Sequence, residues 1–119
     1  MSKTISAKYS SPTLREFKEV HPGNDPQGVQ HVYRFQNGYG ASVVNHEYSY
    51  GLELAVIRFM SPSIDDWDLC YDTKISSDVL PRLDESEMLA YLRQIDELPA
   101  DARALPGAEF IHNEDTAPL

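Results

Sequence analysis

An Asn-Gly pair at positions 37 and 38 lies at the centre of the segment His31–His46, HVYRFQNGYGASVVNH. Asn-Gly is the strongest short signal for a β-hairpin, because both central residues of a type I′ turn need positive φ, which Asn and Gly tolerate. The residues on either side alternate with the period of two that a pleated strand requires. The segment therefore predicts two antiparallel strands joined by a two-residue loop.

This loop length predicts the register of the hairpin. Phe35 pairs with Gly40, so that its ring covers the surface that the glycine leaves bare. One predicted face carries Val29, His31, Tyr33, Phe35, Gly40, Ser42, Val44 and His46. The other carries Gln30, Val32, Arg34, Tyr39, Ala41, Val43 and Asn45. The first face is the more apolar, and we expect it to meet a helix.

Two further strands are predicted after the hairpin. Leu52–Phe59, LELAVIRF, is rich in β-branched and aromatic residues, which favour strands. Ser61-Pro62-Ser63 is a turn signal, and Trp67–Asp72 then alternates between apolar and polar residues, with Cys70 on the face opposite Trp67. Short connections between consecutive strands favour an antiparallel meander of about four strands.

The start of a helix is well specified near residue 84. Asp84 with Glu87 three residues later is a capping box, and Leu83 with Met88 can form a hydrophobic staple. An apolar stripe follows at spacings of three and four residues, and Pro99 ends it. The stripe consists of Met88, Leu89, Tyr91, Leu92, Ile95 and Leu98.

Together these elements predict an α+β fold, an antiparallel meander with one C-terminal helix packed on one face. We expect residues 28–98 to form a single domain, between an irregular N-terminal segment, 1–27, and an irregular or mobile acidic tail, 99–119. Within the first segment, Ile5–Tyr9 is compatible with a short edge strand, and Pro12–Val20 with either a strand or a helical turn. The 119 residues are enough for a core without disulfides.

The charge of the chain is concentrated in its C-terminal half. The formal net charge is −9; residues 1–64 hold six Lys and Arg against five Asp and Glu, whereas residues 65–119 hold four against fourteen. Such a field repels phosphate backbones, so direct nucleic-acid binding is disfavoured, and it attracts a basic surface on another protein. The alternative is that the acidity serves only solubility.

Several sequence features bear on the compartment. The N-terminal residues contain no apolar segment typical of a secretory signal, and no run reaches the roughly 18 apolar residues of a membrane-spanning helix. The single cysteine, Cys70, cannot form an internal disulfide, which fits a reducing cytoplasm. We therefore expect a cytoplasmic protein that does not enter a membrane.

No pattern of residues demands an enzyme or a cofactor. His31 and His46 would share a hairpin face, but no third metal ligand is evident. The segment Gly38–Gly40 lacks the third glycine and the helix of a dinucleotide loop, and the acidic residues 65–72 lack the spacing of an EF-hand. Cys70 is better explained as a small core residue than as a nucleophile. We expect no catalytic residue, no metal and no cofactor.

Aromatic residues crowd the predicted sheet and its loops. The tyrosines are Tyr33, Tyr39, Tyr48, Tyr50 and Tyr71, with Trp67 nearby. Such rings are enriched in binding hot spots, and Tyr48-Ser49-Tyr50-Gly51 has the composition of a recognition loop. Alternatively, the rings simply cover the sheet.

Several of these segments resemble small uncharacterised proteins of tailed bacteriophages and prophages. The resemblance covers residues 29–98 and is carried by FQNGYGASVV from Phe35, YSYG from Tyr48, LELAV from Leu52 and LCYDT from Leu69. It implies an accessory protein made in an infected bacterium, and it carries over no catalytic residue. Phage proteins of this size and acidity often inhibit host or defence proteins, as anti-CRISPR proteins do; this step is analogy.

The sequence therefore favours a non-enzymatic protein that binds, and inhibits, a basic partner through an acidic and aromatic surface, as a nucleic-acid mimic could. The expected partner-binding residues are Asp65, Asp66, Asp68, Glu85, Asp96, Glu97, Tyr48 and Tyr50. One alternative is a structural module in which an exposed sheet edge joins two copies into a homodimer. Another is a small enzyme.

Overall fold

The computed structural model describes residues 4–21, 28–45 and 51–101. These residues form an antiparallel sheet and one helix, which confirms the α+β class, with two more strands than expected. The elements are β1 (Leu14–Val20), β2 (Val29–Phe35), β3 (Tyr39–Asn45), β4 (Leu52–Phe59), β5 (Trp67–Leu69), β6 (Leu80–Leu83) and α1 (Glu85–Asp96).

The sheet is a meander in the order β1-β2-β3-β4-β5, as predicted for consecutive strands with short connections. β6 was not predicted. It pairs with β4 at Leu52 and Leu54, whereas β5 pairs with the other end of β4, at residues 57–59. β5 is shorter than the predicted strand Trp67–Asp72. It ends where Cys70 enters the core and donates from its Sγ to Asp72 Oδ1 at 3.1 Å.

The N-terminal segment contributes to the domain instead of preceding it. β1 pairs with β2 over Leu14–Val20, so the strand alternative for Pro12–Val20 is the correct one, and the sheet extends before residue 28. Ile5–Tyr9 forms no strand, yet Ile5 is buried in the main core. The acidic tail was predicted for residues 99–119, of which only residues 99–101 are described.

The predicted register of the hairpin is wrong by one residue. Tyr33 pairs with Ala41 and Arg34 with Gly40, so the loop between the strands has three residues, 36–38. Because side chains alternate, the slip moves every β3 residue to the other face. Ala41 and Val43 now share a face with Tyr33 and enter the main core, whereas Gly40 and Ser42 lie on the opposite face.

The conformation of the turn explains why the register differs from the predicted one. Gly38 has φ of 91° and donates its N–H to Phe35 O at 3.2 Å, while Asn37 does not have positive φ, so the turn is not type I′. This is the three-residue hairpin loop that places glycine in the left-handed region. Asn37 instead caps the C-terminal end of α1: its Nδ2 donates to Ile95 O at 2.8 Å and to Leu98 O at 3.0 Å.

The helix begins as predicted. Asp84 Oδ1 accepts from Glu87 N at 2.7 Å and Glu87 Oε1 accepts from Asp84 N at 3.0 Å, which confirms the capping box. The apolar stripe of α1 is buried through Met88, Leu92 and Ile95 against the face of the sheet that carries Tyr33 and Leu54. We call this face of the sheet, on which α1 packs, the helix face; it holds the main core.

The opposite face of the sheet has a smaller core formed by Val32, Ile57, Phe59 and Ile64, with Trp67 packed against it. Gly40 lies beneath Phe59, since a Cβ there would come within 2.7 Å of Phe59 Cε2 and 1.9 Å of Tyr33 O. Phe59, and not Phe35, thus covers the glycine. Arg34 also packs against Phe59, with its guanidinium carbon 4.7 Å from the centroid of the ring.

Candidate functional site

The loop before β5 is built to expose carboxylates. Met60 N donates to Asp66 O at 2.9 Å and Asp66 N donates to Ser63 O at 3.2 Å, which closes a compact loop. Ile64 is its buried anchor in the smaller core. Asp65 and Asp66 remain exposed at the surface of this loop, and Asp68 is exposed in β5.

Apolar side chains lie between these carboxylates. Trp67 pairs with Phe59 and Leu69 with Ile57, so both point to the face of the smaller core, whereas Asp68 points to the helix face. Leu69 is 50% exposed, and Trp67 is half-buried. We call the group Asp65, Asp66, Trp67, Asp68 and Leu69 the acidic edge.

The carboxylates of the acidic edge differ in their partners. Asp65 Oδ1 accepts from Lys18 Nζ at 2.7 Å, with the two side chains 66% and 43% exposed. Asp66 and Asp68 form no ion pair within residues 4–21, 28–45 and 51–101. Since an exposed pair such as Lys18–Asp65 contributes little to stability, the acidic edge keeps most of its charge available to another molecule.

The carboxylates predicted on the helix have a different role. Glu85 Oε2 accepts from Ser6 N at 2.7 Å and from Ala7 N at 3.1 Å. Asp96 accepts from Tyr9 Oη at 2.8 Å, and from Ser11 Oγ and Thr13 Oγ1, both at 2.6 Å. Glu97 is exposed and pairs with Arg93 at 3.2 Å. Glu85 and Asp96 therefore hold the chain itself and lie apart from the acidic edge.

The segment held by these carboxylates, residues 4–13, is named the strap. It runs along the helix face of the sheet, from Thr4, whose carbonyl accepts from Asn45 Nδ2 at 2.8 Å, to Thr13 beside Asp96. Tyr9 packs edge-on against Phe35, at 5.7 Å between ring centroids. Burial and then the Asp96 hydrogen bond raise the pKa of Tyr9, so its hydroxyl remains a donor.

A shallow cavity of about 280 Å³ lies where the strap, the hairpin loop and the end of α1 meet. Its lining includes Thr13, Asn37 and Asp96. The polar atoms of these three residues are already used to hold the strap and to cap the helix. This cavity is therefore a junction of structural contacts.

His31 is buried on the helix face beside β1. Its Nε2 lies 3.0 Å from Glu19 Oε1, and His21 Nε2 lies 2.9 Å from Glu19 Oε2. Hydrogen bonds from His31 and then His21 hold the pKa of Glu19 below its usual value. The His31 ring is only 2% exposed and packs edge-on against Phe17 and Tyr33, which suits a structural role.

Of the remaining candidate residues, some are buried in the core and others lie outside the described residues. Cys70 is 1% exposed, and burial raises the pKa of its thiol, so it is a poor nucleophile. Tyr33 is fully buried and covers the sheet. His46, Tyr48 and Tyr50 lie outside the described residues, so the recognition loop remains a prediction and the position of His46 relative to His31 is not described. In the part of the chain that is described, no group of three or more His, Cys, Asp or Glu could hold a metal ion.

Comparisons of the chain with protein-family models, curated proteins and solved structures gave no match. No helix among the described residues is long and apolar enough to cross a membrane. Among the described residues, the acidic edge combines two exposed carboxylates without ion pairs, Asp66 and Asp68, with an exposed apolar side chain, Leu69. Sequence reasoning found its carboxylates but missed Leu69 as an exposed side chain, because the alternation of the strand placed Leu69 on the same apolar face as Trp67.

Proposed function

We propose that the protein is a non-enzymatic binding protein whose acidic edge contacts a basic surface on a partner protein. The observation that carries this proposal is the exposure of Asp66, directly before β5, and of Asp68, within β5, beside the exposed Leu69; neither carboxylate forms an ion pair among the described residues. Apolar area surrounded by charge is the composition of a protein interface, in which the apolar part supplies affinity and the charge supplies rate and selectivity.

The partner is proposed to be a host or defence protein with a nucleic-acid-binding surface, which the acidic edge occupies as a mimic of phosphates. The net charge of −9 and the sequence resemblance to phage proteins support this reading. It places the protein in the cytoplasm of an infected bacterium, where it inhibits its partner by competition. Direct binding to nucleic acid is disfavoured by the same charge.

Retention of proteins from a bacterial lysate on the immobilised full chain tests the proposal. We expect the retained protein to be released by raised salt, because exposed charges are screened within roughly 8 Å at physiological ionic strength. An excess of double-stranded DNA should release the same protein if the acidic edge imitates phosphates. Retention that salt and DNA leave unaltered would contradict the proposal.

A matched pair of variants assigns the effect to the acidic edge. Asp66→Lys with Asp68→Lys should lower the affinity for the retained protein at least about tenfold, mostly through slower association. Asp78→Lys with Glu97→Lys changes the net charge equally at exposed positions that are not part of the acidic edge. If the acidic edge alone contacts the partner, Glu97 lies outside the interface and this variant should have little effect. Equal losses in both variants would show that bulk charge, and not the acidic edge, retains the protein.

A further inference from the structure

The free edge of β1 has a charge pattern that suits a second copy of itself. β1 pairs with β2 on one side, and no further strand of the described sheet lies beyond it. A strand paired on one side presents unpaired N–H and C=O groups on the other, which is a template for another strand. The residues of β1, LREFKEV, place charges of opposite sign symmetrically about Phe17.

Because of this charge symmetry, opposite charges meet when two β1 strands run antiparallel about a two-fold axis at Phe17. The axis generates four kinds of pair: Phe17 with Phe17, Glu16 with Lys18, Arg15 with Glu19, and Leu14 with Val20. In the regular part of the strand, Glu16 thus faces a residue of opposite sign, Lys18, and Phe17 faces Phe17; Arg15 and Leu14 lie at the irregularity. Opposite charges directly across a strand pair stabilise it, and like charges destabilise it.

The charged side chains of β1 are partly exposed, and some of them already have partners within the chain. Glu16 is exposed and lies across from Arg34 of β2, while Lys18 and Glu19, with side chains 43% and 48% exposed, contact Asp65 and the two histidines His31 and His21. Because the exposed Lys18–Asp65 pair contributes little to stability, Lys18 can exchange it for Glu16 of the partner subunit. β1 keeps a regular register with β2 from Glu16 to Val20; the irregularity lies between Leu14 and Glu16. The central pairs, which involve residues 16–18, therefore lie on a regular strand.

We propose that two copies of the chain associate through antiparallel pairing of their β1 edges, with Glu16 of each copy facing Lys18 of the partner subunit. A parallel arrangement would place like charges together, so the charges select the two-fold one. Because this contact consumes both β1 edges, it closes as a dimer and does not propagate into a fibre. The continuous sheet would carry one acidic edge at each end, and the proposal does not depend on the function of that edge.

The pairing covers only seven residues of strand, so we expect a weak dimer with a dissociation constant roughly in the micromolar range. Sedimentation equilibrium of the full chain, from micromolar to millimolar concentration, measures this constant. Glu16→Lys creates two like-charge pairs by symmetry and should weaken the dimer about tenfold or more. Lys18→Glu should have the same effect, whereas Asp78→Lys, on the loop between β5 and β6, should not.

Charge exchange makes the test independent of any loss of folding. The double variant Glu16→Lys with Lys18→Glu restores opposite charges across the axis and should dimerise like the unaltered chain. A mixture of the two single variants should form a mixed dimer more readily than either forms its own dimer. A chain that stays monomeric to millimolar concentration, or single variants that dimerise unchanged or fail to complement each other while their melting temperatures are preserved, would overturn the proposal.

Discussion

The two edges of the sheet differ both in what supports them and in what they present. β1 lies beside the strap, which Asp96 and Glu85 tie to the helix, and its charges are balanced in sign. β5 has three residues, follows a loop anchored by Ile64, and presents unbalanced negative charge. A longer edge of balanced charge, regular from Glu16 to Val20, suits pairing with its own copy, and a short acidic edge suits a different, basic partner.

The two edges also draw on cores of different size. β1 borders the helix face, where the main core gathers fifteen buried residues among those described, whereas the loop before β5 rests on a smaller core with four. The difference predicts that the β1 side unfolds only with the whole domain. It also predicts that the acidic edge opens locally at lower free energy, as binding segments often do.

The largest expected effect contrasts these cores. Phe35→Ala removes a fully buried ring that packs against Tyr9 of the strap, and should lower the free energy of unfolding by about 3–5 kcal/mol. Ile64→Ala should cost about 2 kcal/mol, at the low end for its residue type, because Ile64 remains 9% exposed and belongs to the smaller core. Urea unfolding of both variants measures the difference. Equal losses would remove the distinction between the two sides.

A second contrast concerns neighbouring carboxylates of the helix end. Asp96→Ala leaves three hydroxyl groups of the strap without their acceptor and should cost about 2–4 kcal/mol. Glu97→Ala removes one exposed ion pair with Arg93 and should cost less than about 0.5 kcal/mol. Limited proteolysis within the strap provides a second readout, since only the first variant should become susceptible. A stable Asp96→Ala chain with a protected strap would show that other contacts hold it.

The hairpin loop lies between the two edges and sets the register that both depend on. Gly38→Val places a β-branched residue at φ of 91° and should cost about 1–3 kcal/mol. Gly38→Asn should cost less, because asparagine tolerates positive φ better than valine. Thermal unfolding of both variants orders them. If valine and asparagine were equally tolerated, the loop would have another conformation.

The smallest effect is the pH dependence contributed by Glu19 on β1. Its pKa is lowered in the folded chain from the usual value of 4.5, so its stabilisation is present above that value and is lost as the pH falls through the folded pKa. Glu19→Gln should therefore reduce the acid-induced loss of stability, because it removes the carboxylate that contacts His31 and His21. Urea midpoints between neutral and acidic pH provide the test.

The sequence predicts elements well where local chemistry decides them. The capping box at Asp84 and the strand Leu52–Phe59 are both confirmed at the predicted residues. The register of the hairpin could not be predicted from its turn residues alone. Asn37 caps the end of α1, fifty-eight residues away in sequence at Ile95, and this long-range contact uses the residue that a type I′ turn would have needed.

In the candidate site too, features decided by neighbouring residues could be predicted, and features decided by long-range contacts could not. Exposure of Asp65, Asp66 and Asp68 follows from local turn residues and was expected. The internal roles of Glu85 and Asp96 depend on where the strap lies, and nothing near them in the sequence indicates it. The charge symmetry of β1 is visible in the sequence only once the strand and its free edge are known.

The central claim is that the two edges serve two separate contacts. Glu16→Lys and the pair Asp66→Lys with Asp68→Lys should be compared in parallel, by sedimentation equilibrium and by retention of lysate proteins. We predict that the first weakens only the dimer and the second weakens only retention. If either variant weakened both contacts equally while keeping its melting temperature, the two edges would not act separately, and the claim would be contradicted.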